Sequence, residues 1–115
     1  MSPGLEKQEK RRGERVLIRI PVRVRGVGHD DGEVVESAET TLVSRSGALL
    51  RMASLLKLNS PLAVTNNLSR ETEAFRVAWV AEVKVDDRWE IGIEAANPQE
   101  DFWGIRFPAS KERKP

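Results

Sequence analysis

Cysteine is absent from this 115-residue chain, and histidine occurs once, at position 29. Without cysteine there is no disulfide framework and no thiolate metal site, and the absence agrees with a reducing compartment. His29 sits between Gly28 and the doublet Asp30, Asp31, a turn-like setting that offers no nucleophile and base pair. Aspartate doublets here and at Asp86, Asp87 suit turn geometry better than a hard cation. No glycine-rich loop of the triphosphate-binding kind is present. Long hydrophobic runs are missing as well: 32% of the residues are charged and the mean hydropathy is −0.46, which excludes a membrane-spanning stretch. The first fifteen residues lack the apolar core of a secretory signal, so a cytoplasmic location is expected. No enzymatic activity, catalytic residue, metal site or cofactor is therefore expected.

What is present is enough for one β-rich core. A chain of this length makes one domain, and its 39% hydrophobic content can fill one barrel or sandwich. From Val16 onward the residues alternate, with Val16, Ile18, Ile20, Val22 and Val24 on one side and Leu17, Arg19, Pro21, Arg23 and Arg25 on the other. Pro21 cannot donate to a ladder, so a free edge or a bulge is expected there. After a turn at residues 26–32, strands are expected over 33–43 (with a bulge), 48–52 and 62–66, then a long one over 73–85 and a last one through Trp89, Ile91 and Ile93. Phe75, Val77, Trp79, Ile91 and Ile93 share the inward parity, and Trp89 joins them, which assigns these tryptophans to packing. Asn97, Pro98 and Glu100 have the form of a helix start, with Gly104 as its stop, and Phe102, Trp103, Ile105 and Phe107 would close one end. The pattern predicts an all-β, six-stranded antiparallel barrel with a short C-terminal helix, occupying residues 11–108 between a flexible tail at 1–10 and a disordered one at 109–115.

Net charge is only +1, so the whole molecule is not built to hold a polyanion. Basic residues are instead concentrated locally: Lys7, Lys10, Arg11, Arg12 and Arg15 precede the first strand, against Glu6, Glu9 and Glu14. Guanidinium groups present planar forks that match phosphate or the O6 and N7 edge of guanine, and their faces stack on bases. About thirty residues later Ser44-Arg45-Ser46-Gly47 forms a small polar turn between two strands.

Together, RxxxR at Arg11 and Arg15, the strand RVLIRIPVRVRG, the turn SxxG at Ser44 and Gly47, VAWV and IGIE resemble the PilZ family over residues 11–107. The resemblance implies a barrel that receives the bacterial messenger cyclic di-GMP, with Arg11 and Arg15 wrapping the ligand and Ser44 and Gly47 meeting it from the barrel surface; Arg12, and Arg45 and Ser46 as alternative donors, are added to the expected ligand site by their position beside these residues. It further implies an N-terminal segment that rearranges on binding and an unidentified protein partner that reads the change, in a monomer or homodimer with no membrane insertion. The family's turn begins with Asp or Asn, where this chain has Leu42. A lost charged hydrogen bond weakens binding by about 1.5–3 kcal/mol, so a dissociation constant of about 1–100 µM is expected. Two other readings stand beside this one: a degenerate PilZ domain that contacts proteins without nucleotide, and, least expected, a small barrel that binds RNA or DNA through the basic tail and the arginine face of the first strand, Arg19, Arg23 and Arg25.

Overall fold

The computed structural model describes residues 15–98 and 101–105. Six strands are formed: β1 Pro21–Val27, β2 Glu33–Val43, β3 Gly47–Met52, β4 Pro61–Asn66, β5 Thr72–Val80 and β6 Trp89–Ala95. Every neighbouring pair is antiparallel, and the order β1-β2-β3-β6-β5-β4 closes on itself through β1 and β4. The alternation places Val22 and Val24 inside and Arg23 and Arg25 outside. With Ile20, Leu50, Met52, Val64, Val77 and Ile91 they form a fully buried interior, each side chain contributing about 1.5–3 kcal/mol on burial.

Closure leaves no free edge for Pro21, and the β1–β2 register runs through it without a bulge, so neither expected alternative is found. The proline instead opens β1, where its missing N–H costs least, and its carbonyl accepts from the Asn67 amide at 3.0 Å. Residues 16–20 keep the alternation and run beside β2, but as a broken ladder. Val16 and Val43 exchange two backbone bonds of 2.9 Å. Between that bridge and β1, the fully buried Thr40 hydroxyl accepts from the Ile20 amide at 2.9 Å and donates to the Ile18 carbonyl at 2.7 Å. A side chain thus takes over part of the ladder next to the expected β2 bulge, which falls between Thr40 and Leu42.

The long strand is shorter than its pattern suggested, because β5 ends at Val80. Its register with β6 slips between Val77 and Trp79, so Ala78 is an extra residue and inside and outside exchange. Phe75 and Val77 are buried as expected. Val80 then takes an inward place against the core, and Trp79 faces out, 49% exposed. The inward assignment of Trp79 is thereby corrected, while Trp89 is half-buried against the core. Val83 and Val85, within the span expected for the long strand, are exposed beyond the end of β5. The hairpin closes at Asp86 and Asp87, whose φ values of 55° and 65° match the two-residue turn that follows the twist of a hairpin. Asp31 likewise serves a turn, with φ 74°, and pairs with Lys57 Nζ at 2.5 Å. That hydrogen bond, and then the lysine's charge, hold its carboxyl below the ordinary range.

The expected C-terminal helix is not formed among the described residues. Residues 101–103 make a turn closed by the Gly104 amide on the Asp101 carbonyl, 3.0 Å, with Gly104 at φ 75°. The closing role of Phe102 and Trp103 holds: both are buried, 4.7 Å apart edge to face, and stand 5.6 and 6.0 Å from Phe75. Buried Asn66 ties this plug to the barrel, donating from Nδ2 to the Phe102 carbonyl at 2.8 Å. The assigned tails at 1–10 and 109–115, together with Arg11, Arg12, Gln99, Glu100 and Phe107, lie outside the described residues.

Candidate functional site

A groove of about 310 Å³ opens on the outside of the barrel where residues 15–16 pass the 44–47 turn. Of the residues singled out in the sequence, Arg15, Ser44, Ser46 and Gly47 line it, and so does Leu42. They meet because the Val16–Val43 bridge sets the chain entering the barrel against the end of β2, just before the turn begins. Arg15 is exposed there. Arg45 is half-buried beside the turn and is not among the lining residues, and Arg11 and Arg12 lie outside the described residues.

Two residues of the turn have duties that need no ligand. The Ser44 hydroxyl accepts from the Gly47 amide at 3.1 Å and from the Ser46 amide at 3.3 Å, while its backbone N–H donates to the Gly47 carbonyl at 2.9 Å. Serine is favoured in such a turn because its short oxygen reaches backbone amides two and three residues on. At Gly47 the approach of β6 decides the residue, for a Cβ there would lie 2.1 Å from the Ile93 carbonyl oxygen. Ser46 is different: its backbone carbonyl is taken by the Ala95 amide at 2.7 Å, but its side chain is exposed at the groove rim.

The floor of the groove was not visible in the sequence. One row of Cα partners crosses four strands on the outer surface: Leu42 on β2, Leu49 on β3, Gly92 on β6 and Trp79 on β5. Gly92 leaves the hollow, and Trp79 stands beside it, with its Cβ 3.3 Å from where a Gly92 Cβ would be. Ala78, the extra residue of the β5 bulge, and Glu94 complete the lining. The signal that would have found Trp79 and Ala78 is a one-residue register shift, which alternation in a single strand does not reveal.

The arginine face of β1 carries less free charge than its sequence implies. Arg25 Nε meets a Glu33 carboxylate oxygen at 3.2 Å and Arg19 Nε meets Glu39 at 3.8 Å, which leaves Arg23 as the member of the three with no acidic partner among the described residues. No group of three or more His, Cys, Asp or Glu side chains capable of holding a metal ion occurs among the described residues.

No family model and no curated protein matches the chain. Among solved structures it is similar to the PilZ domain of CeSA from a cellulose synthesizing bacterium, at 21% identity and a TM-score of 0.51, over 79% of this chain and 90% of that one. Identity this low speaks for the backbone alone, and the backbone agrees with what the strand order and closure already showed: this chain has a PilZ-like fold.

Proposed function

We propose that this chain is a non-catalytic receptor module for cyclic di-GMP. The observation that carries the reading is the convergence of Arg15 with Ser44, Ser46 and Gly47 on one groove, although they lie far apart in the sequence. Its chemistry suits a purine nucleotide: an apolar floor for a base, a guanidinium fork for phosphate or a guanine edge, and an exposed hydroxyl at the rim. In this reading Arg11 and Arg12 join the ligand from the preceding segment, Arg45 lends a donor from the turn, and the reordered segment forms the surface that a partner protein reads. Such coupling requires that the ligand prefer the reordered arrangement.

Titration calorimetry with cyclic di-GMP tests the reading. The expected dissociation constant is about 1–100 µM. Arg15→Ala weakens it about tenfold or more by removing a fork that stands at the groove. Leu42→Asp, which places a charged acceptor at a lining position, tightens it about tenfold. No heat from wild type and Leu42→Asp at about millimolar ligand, a level worth only about −4 kcal/mol, would reject nucleotide binding. The chain is then an interaction module that keeps the fold without the ligand. Two facts favour that second reading: the apolar Leu42, and the structural duties that already account for Ser44 and Gly47.

A further inference from the structure

Recognition of guanine needs acceptors as well as donors, because its Watson–Crick edge presents N1–H and N2–H₂ side by side. The groove is poor in acceptors. Leu42, at the position where the family has Asp or Asn, has none, and the floor formed with Leu49 and Ala78 carries no polar side-chain atom. The Ser44 oxygen is engaged by two amides of its own turn.

Glu94 is the carboxylate in the lining. It stands on β6 as the Cα partner of Gly47, directly across from the polar turn. Its Oε1 receives Arg76 Nη2 at 2.6 Å, and Arg76 Nη1 is in turn held on Asn59 Oδ1 at 2.9 Å. The two links tether one oxygen of the carboxylate on the outer surface before any ligand arrives, which lowers the ordering cost of binding. Glu94 Oε2 accepts no hydrogen bond among the described residues. Arg15, a donor, and Glu94, an acceptor, are thus available to opposite needs of one base, O6 and N7 on the one hand and N1–H and N2–H₂ on the other.

Resting on the cyclic di-GMP reading above, we infer that Glu94 is the specificity residue of the groove, accepting from the guanine N1–H and N2–H₂ in place of the residue that Leu42 replaces. Arg76 acts through Glu94 as a positioning residue.

The test compares wild type and Glu94→Gln by calorimetry with cyclic di-GMP and with its inosine analogue, which lacks the 2-amino group. Wild type is expected to prefer the guanine ligand about tenfold, since the analogue leaves one carboxylate oxygen without its donor. Glu94→Gln is expected to weaken cyclic di-GMP about tenfold and to bind both ligands within about twofold of each other, because the amide keeps a single acceptor. A thermal melt checks that the exposed substitution leaves the barrel intact. Cyclic di-GMP binding by Glu94→Gln as tight as that of wild type, or an unchanged preference for guanine, overturns the role of Glu94 and leaves the receptor reading standing. Absence of binding by wild type to either ligand overturns both.

Discussion

Replacing Gly47 with alanine is expected to destabilise the protein by about 3 kcal/mol or more, a drop in melting temperature on the order of 15 °C for a domain of this size. The new Cβ would lie 2.1 Å from the Ile93 carbonyl oxygen and 3.1 Å from the Ile93 carbonyl carbon, and both are backbone atoms of β6. No side chain can swing aside to make room. β3 must therefore part from β6 at the place where Ala48 faces Ile93, both of them buried. Gly92→Ala is the milder comparison, since its Cβ would meet Trp79 Cβ at 3.3 Å, a contact that a backbone shift of a few tenths of an ångström relieves. It should cost about 1 kcal/mol or less. Thermal and denaturant unfolding of the two variants decides the matter, and a Gly47→Ala protein that melts within about 3 °C of wild type refutes the close approach of the two strands. Because the glycine is needed by the barrel, its loss cannot be read as loss of a ligand contact. Ser46, whose exposed side chain lines the groove, is the better probe of the turn.

Thr40→Val should cost about 2–3 kcal/mol although it changes the side-chain volume little, because it leaves the buried Ile20 amide without an acceptor and the Ile18 carbonyl without a donor. The backbone bond from the Thr40 amide to the Ile20 carbonyl, 3.1 Å, survives the substitution, so the loss is local to residues 16–20. That segment carries Arg15 to the groove. The variant should therefore show faster amide exchange at Val16 and, in the receptor reading, weaker cyclic di-GMP binding than its residual stability alone accounts for. Thr40→Ser, which keeps the hydroxyl, should restore the slow exchange. Unchanged exchange at Val16 in Thr40→Val would show that the Val16–Val43 bridge holds the segment without help from the threonine.

Most of the architecture was legible as periodicity. Residues 21–27 are a strand where apolar and polar residues alternate, since a pleated chain sends successive side chains to opposite faces, and the less regular stretch 33–43 is a strand with a bulge between Thr40 and Leu42. The aspartate pair at 86–87 marked its turn because short polar side chains tolerate positive φ. The failures also have physical causes. Alternation counts residues along one strand, and Ala78 fits either face, so the bulge that turns Trp79 outward left no trace in composition. The helix signal at residues 97–104 was local, and burial of Phe102 and Trp103 against Phe75 favours a turn at 101–103 instead.

By itself, then, the sequence determined the strands, most of their inward faces and the residue types of the 44–47 turn, all of which follow from interactions within a few residues. Only the tertiary structure decided that β1 meets β4 to close the barrel, that Gly47 must be glycine, and that Arg15, Leu42 and Glu94 share one groove. Those outcomes depend on which backbones approach across dozens of residues, and register between distant strands is set by the packing of the whole core, not by any one segment of the chain.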